Sequence, residues 1–237
     1  MENIKENNFL KIQHKSNLNI STSFRYRISS LQRKSIEKYY PLFGLKYQNF
    51  SFDWIKIFGR SKPIILEIGF GNGDSLINSA IENPNKNFLG IELYLPGIAI
   101  VLQKINDFNL KNIRIIYFNA IDVLMNSISE CELSEIRLFF PDPWPKRKHH
   151  KRRIVQKQFL KIVYRKLSLK GKLHIITDSE SYFLQILKNI KSLNCYIDLS
   201  KNRNYLSKIP CGILTKFEKK GIKLGNRIFH LFFLCKK

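Results

Sequence analysis

A single acid stands at the head of a cationic run. From Pro141 to Val155 the chain reads PDPWPKRKHHKRRIV, in which Asp142 precedes eight consecutive basic or imidazole residues. Pro143 keeps Asp142 out of the helical region, so its carboxylate is presented on a stiff turn. An acid held in this way can position a reactant or offset positive charge that develops in a transition state. An Asp-Pro pair is also a good turn former with no chemistry. The neighbours change the weighting. Lys146, Arg147, Lys148, Lys151, Arg152 and Arg153 follow without an intervening acid, and Trp144 offers a flat face. Cations for phosphates and planes for splayed bases are what RNA recognition requires. His149 and His150 are adjacent, so they point apart and form a poor metal pair; they read as further RNA contacts.

A second constellation lies upstream. The stretch LEIGFGNGD (66–74) places Gly69, Gly71 and Gly73 between an apolar run and a helix candidate, where the backbone can turn sharply and approach a ligand. A dinucleotide fingerprint would need glycine at position 74, which is Asp, and no G-x-x-x-x-G-K-[ST] motif is present. The spacing is also that of a common turn. With Glu67 just before it, the loop suits a ligand without pyrophosphate, such as S-adenosylmethionine, which carries a sulfonium and an ammonium. Glu92 ends the next apolar run and can accept both ribose hydroxyls. Asn119, after the third run, can read an adenine edge through its side-chain amide or the backbone beside it.

These residues need a scaffold, and the pattern supplies one. Apolar runs at 64–68, 88–92, 113–117, 136–140 and 172–177 alternate with helix candidates near 74–82, 96–108, 120–128, 155–167 and 179–191. That alternation predicts an α/β, doubly wound, mostly parallel sheet covered on both faces. A last run at 226–234 has no helix after it and is expected to pair antiparallel at or near an edge. Ligands in such sheets sit at the carboxyl ends of strands, which selects the loops after Ile68, Ile91, Phe118, Phe140 and Thr177. Residues 1–20 are polar and aperiodic and read as a flexible tail; residues 21–237 read as one domain.

Composition narrows the partners. Lys and Arg number 41 against 18 Asp and Glu, a formal charge of +23, which favours a polyanion. Part of that excess fits a coding bias that also enriches Asn and Ile. The four cysteines are scattered, with no metal-ligand spacing, so no metal is expected. No apolar stretch approaches the ~20 residues that span a bilayer, and the N-terminus is too polar for a secretory signal. The expectation is a soluble, cytoplasmic protein that does not bind membranes.

With these motifs in hand, the chain resembles the bacterial tRNA (guanine-N7-)-methyltransferase family from about Ser23 to Phe233. The likeness rests on LEIGFGNGDSL, GIELYLPGI, FFPDPWPKRKHHKRRIV, GKLHIITD and TKFEKKG. It implies a class I, Rossmann-like methyltransferase with a seven-stranded sheet, S-adenosylmethionine as cofactor and tRNA as substrate, at a guanine of the variable loop. It implies that Glu67, Glu92, Asn119 and Asp142 contact the cofactor beside Gly69, Gly71 and Gly73, with Asp142 as the catalytic position. Lys146, Asp178, Thr215, Lys216, Phe217 and Glu218 would contact the substrate, with Arg147, Lys148, Arg152 and Arg153 as further RNA contacts and no obligatory protein partner. Many members carry Asp where this chain has Asn119. Asp178 could instead cap a helix, and Thr215-x-x-Glu218 has capping-box spacing. The main alternative is a non-catalytic tRNA-binding protein on a methyltransferase fold. Transfer to an exocyclic amine is disfavoured by P-D-P-W where such enzymes often carry (D/N)-P-P-(Y/F).

Overall fold

In the computed structural model, residues 27–200, 221, 223 and 225–237 are described. The first half contains α1 (Ser30–Phe43), β1 (Gly44–Leu45), α2 (Trp54–Phe58), β2 (Ile64–Ile68), α3 (Asp74–Glu82), β3 (Asn87–Glu92) and α4 (Leu95–Asp107). Then come β4 (Ile113–Tyr117), α5 (Ala120–Asn126), β5 (Leu133–Phe139), a 3-10 helix at Arg147–Arg152, α6 (Lys157–Lys166) and β6 (Leu167–Thr177). The chain ends with α7 (Glu180–Leu193), β7 (Tyr196–Asp198) and β8 (Phe229–Cys235). The expected tail (1–20) and the Thr215–Glu218 stretch lie outside the described residues.

All five residues of β2 are buried, as a central parallel strand covered on both faces requires. Ile64, Leu66 and Ile68 join the apolar layer under α5, α6 and α7. Ile65 points to the opposite layer, which α1, α3 and α4 cover. Two-residue alternation along one strand thus feeds two cores. The sheet order is β1-β4-β3-β2-β5-β6-β8-β7. Strand β8 alone runs against its neighbours, β6 and β7, and it lies second from the edge as the sequence suggested. The sheet has eight strands rather than seven, because Gly44 and Leu45 add a two-residue edge beside β4. So short a strand leaves no alternation to read. Strand β6 also begins at Leu167, earlier than the apolar run at 172–177 implies, because its start exposes Leu169 and Lys170 to solvent.

Two features aim this fold at one place. Ile68 pairs with Ile91 and Leu138, Ile91 with Ile116, and Leu138 with Ile175. Five parallel strands therefore end level, and their following loops share one rim. The connections run outward from β2 to β3 and β4, then return to place β5 on its other side. The loops after β2 and β5 flank that reversal, where open sheets leave a crevice. No helix among the described residues is long and apolar enough to cross a membrane.

Candidate active site

The glycine loop turns through left-handed backbone at Gly69, Gly71 and Gly73. At Gly73 a side chain is excluded twice over: φ is +72°, and a Cβ would lie 2.1 Å from Val101 Cγ2 of α4. Gly71, with φ +55°, differs, because a Cβ there would meet no atom within 4 Å. Space is therefore open above Gly71 and closed below Gly73, as a ligand-bearing loop demands. Helix α4 packs onto the same loop: a Cβ on Gly97 would lie 2.0 Å from the Gly71 carbonyl oxygen.

Glu92 fastens this arrangement. Its Oε2 accepts from Gly71 N–H (2.7 Å), and its Oε1 accepts from Leu93 and Tyr94 N–H (2.6 and 2.9 Å). A carboxylate offers about four acceptor sites, so room remains for about one more donor. The expected ribose hydroxyls would therefore share Glu92 with three backbone amides.

Glu67 is 2% exposed, beneath the loop. Burial pushes its carboxyl up to about 7, against the pull of the Arg137 guanidinium and of Ser75, whose Oγ donates to Oε2 at 3.0 Å. Arg137 lies opposite Glu67 on β5, pairs with Glu135 at 2.6 Å and donates to Ser79 Oγ at 2.8 Å. Ser75, Ser79 and Arg137 were not singled out from sequence. A serine one turn into the helix after a glycine loop, facing a strand acid, is the signal that could have found the first.

Asn119, 3% exposed, caps α5: its Oδ1 accepts from Ile121 N–H (2.9 Å) and Asp122 N–H (3.3 Å). Its side-chain oxygen is thus committed, which leaves Nδ2 and the adjacent backbone for the expected adenine contact. Asn and Asp cap about equally well, so either would serve this helix start.

Asp142 is exposed, and among the described residues its carboxylate accepts no hydrogen bond. The turn that carries it is bounded by two non-glycine residues with left-handed backbone, Phe140 (φ +52°) and Trp144 (φ +41°). The Phe140 N–H donates to the Ile176 carbonyl at 2.8 Å, which fastens the turn to β6. Trp144 carries the Arg152 guanidinium over its ring at 4.9 Å and meets His149 edge-on at 5.8 Å. Arg152 therefore already occupies one face that the sequence offered to a base.

Lys146, Arg147 and Lys148 are exposed along the 3-10 helix, as a phosphate-binding surface needs. Arg153 is not. It is 1% exposed and turned inward, which corrects its assignment as an RNA contact: a guanidinium enclosed by hydrogen-bond acceptors cannot meet a phosphate. Asp178, half-buried, accepts from Asn226 Nδ2 at 3.2 Å. The N-cap position of α7 is Ser179, whose side chain makes no capping hydrogen bond, so Asp178 does not occupy the cap. Among the described residues no cluster could hold a metal ion.

Against this geometry, comparisons with known proteins agree. The family described as "Putative methyltransferase" matches residues 61–231. A tRNA (guanine-N(7)-)-methyltransferase of Buchnera aphidicola subsp. Acyrthosiphon pisum (strain Tuc7) is 46% identical over 89% of this chain and 88% of its own length. This chain belongs to the tRNA (guanine-N7-)-methyltransferase family. The protein of that name from Pectobacterium atrosepticum is 42% identical over 87% of both chains. Among solved structures, the 16S rRNA methyltransferase KamB shares the fold, with a TM-score of 0.56 over 80% of this chain at 11% identity. On the rim of this tRNA (guanine-N7-)-methyltransferase family member lie an open glycine turn, the carboxylate of Glu92, the buried acid Glu67 and the exposed acid Asp142. S-adenosylmethionine fits this donor set, since its nucleoside needs acceptors and its cationic end needs nearby negative charge.

Proposed function

We propose that the protein transfers the methyl group of S-adenosylmethionine to N7 of a guanine in tRNA, within the variable loop, and acts without a partner subunit. The observation that carries this reading is the bare carboxylate of Asp142, set between the glycine loop and a cationic 3-10 helix at the point where the sheet order reverses. The cofactor supplies an electrophilic methyl group on a positively charged sulfur.

Guanine N7 carries a lone pair and no proton, so no general base is required. The barrier is largely one of alignment, and holding two reactants in line can contribute on the order of 7–11 kcal/mol. Gly69, Gly71 and Gly73 let the backbone close on the nucleoside, Glu92 accepts a ribose hydroxyl, and Asn119 orients the adenine. Glu67 lends negative charge from below. Asp142 faces the purine and offsets the positive charge that accumulates on the ring as N7 bonds to carbon. Asp178, with the Thr215–Glu218 stretch, contacts the base, while Lys146, Arg147, Lys148 and Arg152 hold phosphates. Fixed phosphate contacts of this kind set register without reading sequence.

Nucleoside mass spectrometry of tRNA incubated with purified protein and S-adenosylmethionine tests the proposal. The expected product is 7-methylguanosine. Tight tRNA binding with no methylated nucleoside would instead favour a binding protein on a methyltransferase fold.

A further inference from the structure

Arg153 sits within a run of cations, yet it is the one that the fold encloses. Its Nε donates to the Pro143 carbonyl at 2.8 Å. Its Nη1 donates to Gln185 Oε1 at 2.8 Å and to the Ser181 carbonyl at 3.2 Å, and its Nη2 donates to Ser181 Oγ at 2.8 Å. The Tyr182 ring lies against the guanidinium at 4.8 Å. Two of the elements involved bear on the reaction. Pro143 follows Asp142 directly, and Ser181, Tyr182 and Gln185 form the first turns of α7, the helix entered just after Asp178.

None of these four acceptors is a carboxylate, so among the described residues this buried cation is held by dipoles. Enclosing a charge without a counter-charge is unfavourable unless its donors are well satisfied. Here four of the five N–H groups of the guanidinium donate, from all three nitrogens, a geometry that a lysine ammonium cannot reproduce. The object held is also unusual. The Asp142 turn carries left-handed backbone at Phe140 and Trp144, a conformation that a residue with a Cβ adopts only under constraint. A hydrogen bond to the carbonyl between Asp142 and Trp144 is such a constraint. Tyr182 adds a second tie, as its hydroxyl accepts from Val155 N–H at 3.0 Å. The chain leaving Arg153 is thereby fastened to α7 as well.

We infer that Arg153 is a positioning residue: it brackets the Asp142 turn to the first turns of α7 and so sets the catalytic carboxylate relative to Asp178. The inference rests on the methyl-transfer reading above. It separates neighbouring arginines into two tasks. Arg152 faces outward over Trp144 and meets RNA, while Arg153 faces inward and never touches it.

The test compares Arg153→Met, Arg153→Lys, Ser181→Ala and Gln185→Leu with wild type, reading kcat, KM for tRNA and the salt dependence of tRNA binding. Misplacing a reacting group by about an ångström costs roughly a hundredfold in rate. Arg153→Met should therefore lower kcat by about that factor, with KM and salt slope unchanged. Arg153→Lys should restore only part of the rate. Ser181→Ala and Gln185→Leu should each lower kcat several-fold, and neither should lower it further when combined with Arg153→Met, because they act through the same bracket. Unaltered kcat with a shallower salt slope in Arg153→Met would make Arg153 a phosphate contact and overturn the inference. Should Arg153→Met not fold, wild-type kcat in both Ser181→Ala and Gln185→Leu would overturn it equally. Failure of the wild type itself to make 7-methylguanosine would remove the reading beneath it, and is distinguishable because no variant is needed to see it.

Discussion

Replacing Glu67 by glutamine keeps the side chain's length and an oxygen for Ser75 Oγ, but removes an ionisable group buried under the glycine loop. In the folded chain that carboxyl rises from 4.5 to about 7, chiefly through burial. At about 1.4 kcal/mol per tenfold change in proton affinity, the shift corresponds to about 3 kcal/mol. The sign follows from linkage. The folded state holds this proton more tightly than the unfolded state, so the stabilising contribution is complete below about pH 4.5 and is lost as pH rises through about 7. Glu67→Gln has no such loss. Urea denaturation of both proteins between pH 5 and pH 8 should show the wild type losing about 2 kcal/mol relative to the variant. Every other titrating group cancels in the difference, and any packing change from the amide is independent of pH. Parallel stability curves would refute the argument that burial governs this acid. The same group should report ligand binding. A cationic cofactor above Glu67 draws off its proton, so calorimetry at pH 7 in buffers of different ionisation heat should detect release of about half a proton. Glu67→Gln should abolish it.

Three further outcomes are expected. Asp142→Asn should lower methyl transfer by about 10²-fold or more, as loss of an electrostatic stabiliser does, with tRNA affinity within about twofold; equal losses in filter binding and turnover would count against the assignment. Arg152→Glu should weaken tRNA binding and flatten its dependence on salt by about one unit of slope, with S-adenosylmethionine affinity unaffected in calorimetry. Asn119→Asp should leave thermal stability nearly unchanged because the cap survives, whereas Asn119→Ala should lose about 1 kcal/mol; equal stabilities for all three would show that the cap contributes nothing.

The five central strands were legible because parallel strands buried on both faces read as unbroken apolar runs, and the carboxyl-end rule then drew the candidate residues to one rim. What escaped were elements with too little buried surface to leave a pattern. Gly44–Leu45 is two residues long, and Tyr196–Asp198 buries only its tyrosine. The geometry of the candidate site was legible for the glycines, which take left-handed backbone, and for Asp142, which is exposed on the turn that Pro143 implied. It was not legible where direction matters. Arg152 and Arg153 are identical in sequence, yet one covers Trp144 and the other is enclosed. The available signal was two-residue alternation: Arg153 and Val155 are both buried, with Ile154 between them only partly so, the mark of an extended segment with one inward face. A stretch of pure positive charge concealed that period. The three backbone amides that Glu92 accepts were not legible, because amides that compete for a carboxylate leave no trace in the sequence.

The clasp that Glu92 makes with Gly71, Leu93 and Tyr94 fixes the glycine turn through bonds within the chain itself. Little chain must be ordered on loading, so little of the attraction is lost to entropy. Encounter with the methyl donor should then be fast, and differences in grip among similar nucleosides should appear in how slowly each departs.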